Sequence, residues 1–282
     1  MPGSDSMEEE PKHLPQGINP LTQQAGEEPL AGGVADQISA VSSAVDERAG
    51  SQDTVALDEE QVKDEIDIQI DLLSDPDWVV RREAVITLGE MGDERCVEPL
   101  ARALRDGDWQ VREVAIEAMG QVGSPAVETL LKLLRDWEVR KYAIAALGKI
   151  RDERVLDPLM LQLRNDEFKD DAIDALVVLG EPSVAKLIGA LRDKDENVRK
   201  CAVLALGRIK SGEAIDPLIG MLGDKDWFTR LTAAAALESI GDERGREAMK
   251  PLLKDSDMVV KMRVERILAK WKTPSISQPA NA

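Results

Sequence analysis

At 282 residues, with 43% hydrophobic but only 3% aromatic residues, the chain has an Ala-, Leu- and Val-rich composition. That composition suits close helix packing better than a large β-sandwich core. A formal charge of −18 disfavours phosphate backbones and anionic lipid, so neither nucleic acid nor membrane is an expected partner.

Cys96 and Cys201 make no disulfide framework, and their helical settings suit a reducing compartment. No apolar run reaches the roughly 18 residues of a spanning helix. The opening Met1-Pro2-Gly3-Ser4-Asp5 lacks the basic and apolar regions of a leader peptide. A soluble, cytoplasmic protein is the expectation.

Residues 1–56 are rich in Pro, Gly, Ser, Gln and Glu, with ten acidic residues against Lys12 and Arg48. Such a segment buries too little apolar surface to offset chain entropy, so a disordered acidic tail is expected. Val34, Ile38, Val41 and Val45 have weak helical spacing that could order on a partner, but a solvated tail is the simpler reading. Residues 273–282 are expected to be a second, short disordered tail. Between them, residues 57–272 carry the periodic sequence.

Asp58 with Gln61 three residues on fits a capping box. It is followed by a stripe of Val62, Ile66, Ile70 and Leu73, which reads as a helix closing the end of a repeat array. Beyond it, a basic residue recurs as Arg81, Arg112, Arg140, Lys169, Arg199, Arg230 and Lys261. Four residues before each stands Asp77, Asp108, Asp136, Asn165, Asp195, Asp226 or Asp257, all strong helix N-caps. Gly89, Gly120, Gly148, Gly180, Gly207 and Gly241 fall near the helix ends, where a left-handed turn favours glycine.

A second helix follows each turn. Its apolar spine reads Val97/Leu100/Leu104, Val127/Leu130/Leu134, Leu156/Leu159/Leu163, Val184/Leu187/Leu191 and Ile215/Leu218/Leu222. Pro99, Pro158, Pro217 and Pro251 stand in its first turn, where a missing N–H costs little. Two antiparallel helices cannot cover their own apolar faces, but stacked neighbours can.

The unit Asp136-Trp137-Glu138-Val139-Arg140, with Ala143, Ala146, Leu147 and Gly148, resembles the HEAT family. The likeness is to its short variety of roughly 30 residues, named after the phycobilin lyases. It recurs in about six copies over residues 58–271. The resemblance implies an all-α fold, a right-handed α-solenoid of about six helical pairs with capping helices, whose second helices line a concave face. It implies no function by itself, since the motif residues build the stack.

The Asp/Arg pairs read as structural, the Asp capping its helix and the Arg bonding that Asp or its neighbour's in a ladder between units. Trp78, Trp109, Trp137 and Trp227 share one repeat position. They form either an aromatic ridge for a partner or indoles that cover unit junctions with the N–H on a carbonyl. The regular column favours the second.

Two columns of the second helices point away from the core. One runs Glu98, Glu128, Asp157, Ala185, Asp216, Lys250, the other Arg102, Lys132, Leu161, Gly189, Gly220, Lys254. Charge persists at both ends and vanishes around Leu161, Ala185, Gly189 and Gly220, which is how an interface with a polar rim reads. Glu128, Asp157 and Asp216 are its charged edge. Drift among surface positions is the plainer alternative.

Glu167, Asp170, Asp171 and Asp174 share a helical band but lack the loop that wraps a hard cation, so a solvated acidic face or a contact for a basic partner is expected. His13 is the only histidine. The His-Glu pairs that hold iron in a HEAT-repeat oxygenase such as deoxyhypusine hydroxylase are therefore missing. No phosphate loop, nucleophile elbow or Cys/His metal spacing occurs. Cys96 reads as a small buried residue and Cys201 as partly exposed, and neither looks activated. No catalytic residue, cofactor or metal is expected.

The primary expectation is a non-enzymatic interaction or assembly protein that docks a partner protein in the concave groove. The alternatives are a phycobilin lyase or lyase subunit, and a regulatory subunit acting through its acidic tail.

Overall fold

The computed structural model describes residues 63–271, which hold fourteen α-helices and no strand. The two expected tails lie outside the described residues, as do His13, Asp58, Gln61 and Val62. A short helix α1 (Glu65–Leu72) opens the described chain, capped by Asp64, whose side chain accepts from Asp67 N. Ile66 is buried, and Ile70 and Leu73 pack on the core behind it.

Six helical pairs follow. The first helices are α2 (Trp78–Met91), α4 (Trp109–Val122), α6 (Arg140–Leu147), α8 (Lys169–Leu179), α10 (Glu196–Ile209) and α12 (Trp227–Ile240). Their second helices are α3 (Val97–Ala103), α5 (Val127–Leu133), α7 (Leu156–Gln162), α9 (Glu181–Ala190), α11 (Ile215–Met221) and α13 (Glu243–Met249). A last helix, α14 (Met258–Lys270), ends the array. The expected second helix around Pro251 is instead α13 followed by a 3₁₀ turn, Lys250–Lys254.

The first helices stack in sequence, α2 on α4 through to α12 on α14, and α3, α5, α7, α9 and α11 each pack against the first helix of the following unit. This makes the fold an all-α solenoid. The five predicted spines are buried throughout, with Leu100, Leu130, Leu159, Leu187 and Leu218 fully so. Cys96 is buried as expected, but Cys201, expected to be partly exposed, is also buried. Its helix, α10, packs against both α8 and α12.

The capping column behaves as its chemistry dictates. Asp77, Asp108, Asp195 and Asp257 each accept a backbone N–H two residues on, at 2.8–2.9 Å. Asp226 accepts from Thr229 N at 2.8 Å. Asp136 and Asn165 bond Glu138 N and Glu167 N in the same way, but there the helix proper starts only at Arg140 and Lys169. In these two units only one residue separates the last spine leucine from the cap, against three between Leu104 and Asp108.

The glycine column divides. Gly180 and Gly241 do end their helices at positive φ, of 68° and 80°. Gly89, Gly120, Gly148 and Gly207 do not. They are sites of close approach, and a Cβ on Gly148 would lie 2.7 Å from Ala175 Cα and one on Gly207 2.8 Å from Ala236 Cα. The left-handed positions after α2, α4 and α10 are instead Gly92, Gly123 and Lys210.

Candidate functional site

The recurring arginines form a ladder, but not with the aspartates the sequence suggests. Arg81 binds Asp106 in bidentate fashion, Nε to Oδ2 at 2.7 Å and Nη2 to Oδ1 at 2.8 Å. Arg199 binds Asp224 and Arg230 binds Asp255 in the same way. The partner is neither the arginine's own cap nor its neighbour's, but the Asp two residues before the neighbour's cap. That carboxylate also accepts the backbone N–H of the capping Asp, as Asp106 does from Asp108 N at 2.8 Å. Each of these turn aspartates therefore ties its own turn to the first helix of the preceding unit. The Arg81 and Arg230 hydrogen bonds hold the carboxyls of Asp106 and Asp255 below the usual carboxylate range.

The ladder is interrupted in the middle. Turns with Asp-x-Asp occur at Asp75, Asp106, Asp193, Asp224 and Asp255, while the corresponding stretches are Leu134-Arg135-Asp136 and Leu163-Arg164-Asn165. Arg112 and Arg140, left without a bidentate carboxylate, lie over aromatic rings instead. Arg112 is 5.5 Å from the Tyr142 centroid and Arg140 4.8 Å from that of Phe168.

The tryptophan column does not cover unit junctions as favoured above. Trp137 is 70% exposed, Trp109 62% and Trp227 42%, and Trp78 alone is partly buried against the core. Among the described residues no indole N–H donates a hydrogen bond to a carbonyl. The column heads the first helices, so its indoles project where the chain turns into each unit. Near the C-terminal end further apolar side chains that the sequence reading missed are exposed. Trp227 meets Phe228 edge-on at 5.6 Å, and Met258, Val259 and Met262 are exposed on α14. The signal was available in the alignment, since Met258 and Val259 occupy the repeat positions of Trp227 and Phe228.

The second-helix face presents the predicted residues. Leu161, Ala185, Gly189 and Gly220 are exposed, as are Glu128, Asp157 and Asp216. Leu161, at 62% exposure, is the one large apolar side chain among them. Asp157, Leu161 and Gly189 come together in a cleft of about 370 Å³ with Met160, Arg164 and Lys186. Ala185, Gly220, Glu128 and Asp216 do not line it. Charged groups of the rim pair between units: Arg154 with Glu128 at 3.1 Å, Lys186 with Asp157 at 2.5 Å and Arg244 with Asp216 at 3.1 Å. A second cleft of about 660 Å³ adjoins the first at Leu161 and Arg164, and is lined further by Arg135, Arg140 and Asn165.

Among the described residues no cluster of His, Cys, Asp and Glu could hold a metal ion, and no helix is long and apolar enough to cross a membrane. In the acidic band, burial and then the like charge of Asp174 push the Asp171 carboxyl up, while Asp174 pairs with Arg208 at 2.5 Å. Burial also raises the thiols of Cys96 and Cys201, away from the thiolate that reactivity requires.

A family model described as HEAT repeats matches residues 66–137, 104–180 and 184–269. Among solved structures the chain is similar to human deoxyhypusine hydroxylase in complex with glycerol, at 22% identity over 72% of this chain and 83% of that one, with a TM-score of 0.36. It is similar to the complex of CpcE and CpcF of phycocyanin lyase from Nostoc sp. PCC7120, at 20% identity over 79% and 100%, TM-score 0.36. A designed armadillo repeat protein in complex with the peptide (KR)4 is similar at 21% identity over 74% and 100%, TM-score 0.31. No curated protein matches the chain.

Proposed function

This chain belongs to the HEAT-repeat family, and from that premise we propose that it is a non-catalytic interaction scaffold that docks a partner protein across the face of its second helices. The observation that carries the proposal is the centre of that face. Leu161 stands exposed with Gly189 in one cleft, and Ala185 and Gly220 are exposed on α9 and α11, while Glu128, Asp157 and Asp216 are engaged in ion pairs. An apolar centre within a paired polar rim is the composition of a docking surface. Glycines 189 and 220 leave room above them, since a Cβ at either would meet nothing within 4 Å.

The test is site-specific photocrosslinking in the native cell. A photoreactive side chain replaces Leu161 in one protein and the exposed Glu117, on first helix α4, in another. Discrete adducts from position 161 and none from 117 are expected. Adducts only from 117 would move the partner to the first-helix side. Covalent attachment of a bilin after incubation, read as visible absorbance, would overturn the non-catalytic reading. A second surface is supported by the exposure of Trp109, Trp137 and Trp227, since exposed tryptophan is favoured in interface hot spots. A third crosslinker, at Trp137, distinguishes it.

A further inference from the structure

The interrupted ladder leaves a specific chemical gap. In three units an arginine binds an aspartate 25 residues on with both Nε and Nη2. For Arg140 the corresponding position, two residues before the next cap, is Leu163, which offers no charge. Arg140 turns its Nε to the Leu134 carbonyl at 2.6 Å instead. Arg140, Arg135 and Arg164 then converge on the 660 Å³ cleft that Asn165 also lines. Arg135 makes no ion pair among the described residues. The one carboxylate lining the cleft, Asp166, is bonded to Lys169 at 2.9 Å. Arg164 is already paired with Asp193 at 2.5 Å, so in a chain of net charge −18 two guanidinium groups, Arg135 and Arg140, line this cleft without a carboxylate partner among the described residues.

We propose that a partner protein supplies that anion: the cleft receives an Asp or Glu carboxylate from an extended acidic segment, whose adjacent apolar side chain lies on Leu161. This rests on the second-helix face being the docking surface. Charge selects the class of occupant, because planar guanidinium forks match carboxylates in bidentate geometry. Extension follows from the neighbouring cleft, which shares Leu161 and Arg164 with the first and is lined further by Met160 and Gly189. A chain crossing from one cleft to the other passes over Leu161. A basic segment would meet the two unpaired like charges of Arg135 and Arg140.

The test pans a phage-displayed library of random twelve-residue peptides against the full-length chain. Measurement of the enriched peptides by fluorescence anisotropy follows. Enriched sequences are expected to be net acidic with an apolar residue next to a carboxylate, and to weaken as salt rises. Two variants carry the argument. Asn165→Asp keeps a good cap but puts a carboxylate into the lining of the cleft in cis, and Arg135→Glu reverses an exposed charge. Each is expected to weaken binding at least about tenfold, as charge-assisted hydrogen bonds are lost, with helical circular dichroism retained. Enriched peptides that are basic or neutral, or acidic ones that bind both variants as well as the parent, would overturn the proposal.

Gly189→Arg separates the two readings. If it abolishes binding of basic or neutral peptides, the docking face stands and only the acidic specificity falls. If the enriched peptides ignore Gly189→Arg as well, or if nothing enriches, both fall.

Discussion

The Arg140 guanidinium carbon lies 4.8 Å from the centre of the Phe168 ring, and that contact stands where other units have a bidentate carboxylate. Phe168 is itself only 5% exposed, so its ring fills core volume and offers its face to the cation. The two contributions can be separated. Phe168→Leu retains much of the volume and removes the π-face, and should cost about 0.5–2 kcal/mol. Phe168→Ala should cost about 3–5 kcal/mol, as a buried aromatic truncation. Urea unfolding of both variants checks this, and equal losses would show that the cation contributes nothing.

The turn aspartates predict how stability depends on pH. Hydrogen bonds from Arg81 and Arg230 hold Asp106 and Asp255 below the ordinary carboxylate range, whereas an unfolded Asp titrates near about 3.9. A carboxylate depressed in the folded state contributes its stability in full above the unfolded value. It loses that contribution as pH falls through the folded one. Asp255→Asn should therefore destabilise by about 1–3 kcal/mol at pH 7. The gap from the parent should hold down to about pH 5 and shrink below about pH 4. Urea midpoints at pH 7, 5 and 3 measure it, and a gap that stayed constant to pH 3 would mean the Arg230 bond does not set the titration.

Glycine substitutions should split by sign according to surroundings rather than sequence position. At Gly207 a Cβ would come 2.6 Å from Ala236 Cβ and 2.8 Å from its Cα, which a rigid neighbouring helix cannot yield cheaply. Gly207→Ala should cost about 1–3 kcal/mol. Gly189 sits in helix α9 with open space around it, so Gly189→Ala should stabilise by about 0.5–1 kcal/mol. Thermal melts of the two single variants decide it, and shifts of the same direction would contradict the close-approach assignment.

Why some of this could be read from sequence and some could not follows from range. The spines, the capping aspartates and the pairing of helices depend on spacing within one unit, and Val97, Leu100 and Asp108 declare themselves locally. Gly148 and Gly180 stand eight and eleven residues after Arg140 and Lys169, two offsets that the sequence reading merged, and what makes the first a close approach is Ala175 on the neighbouring helix. The ladder partner was missed for the same reason. Asp106 lies 25 residues from Arg81, and the capping Asp108 beside it is the more regular column. The small and apolar positions of the second-helix face were legible because they depart from a repeating charge. The arginine cleft was not, since it arises where Leu134 and Leu163 stand in the place of ladder aspartates.

Exposure at Trp137 and open space at Gly189 together set the last prediction. Trp137 is 70% exposed, so Trp137→Ala removes little buried area and should shift stability by no more than about 0.5 kcal/mol, the range of ordinary surface changes. An Arg built on Gly189 meets no atom at its Cβ and should leave the fold intact, helped by a propensity gain of about 0.5–1 kcal/mol over Gly. It places a long charged side chain in the cleft with Asp157 and Leu161. Any partner seated there must then displace it or bury its charge. With the photocrosslinked partner in hand, calorimetry should show binding reduced at least about tenfold by Gly189→Arg, consistent with an uncompensated buried charge, and unchanged by Trp137→Ala. The reverse pattern, both variants being folded, would place the partner on the tryptophan edge.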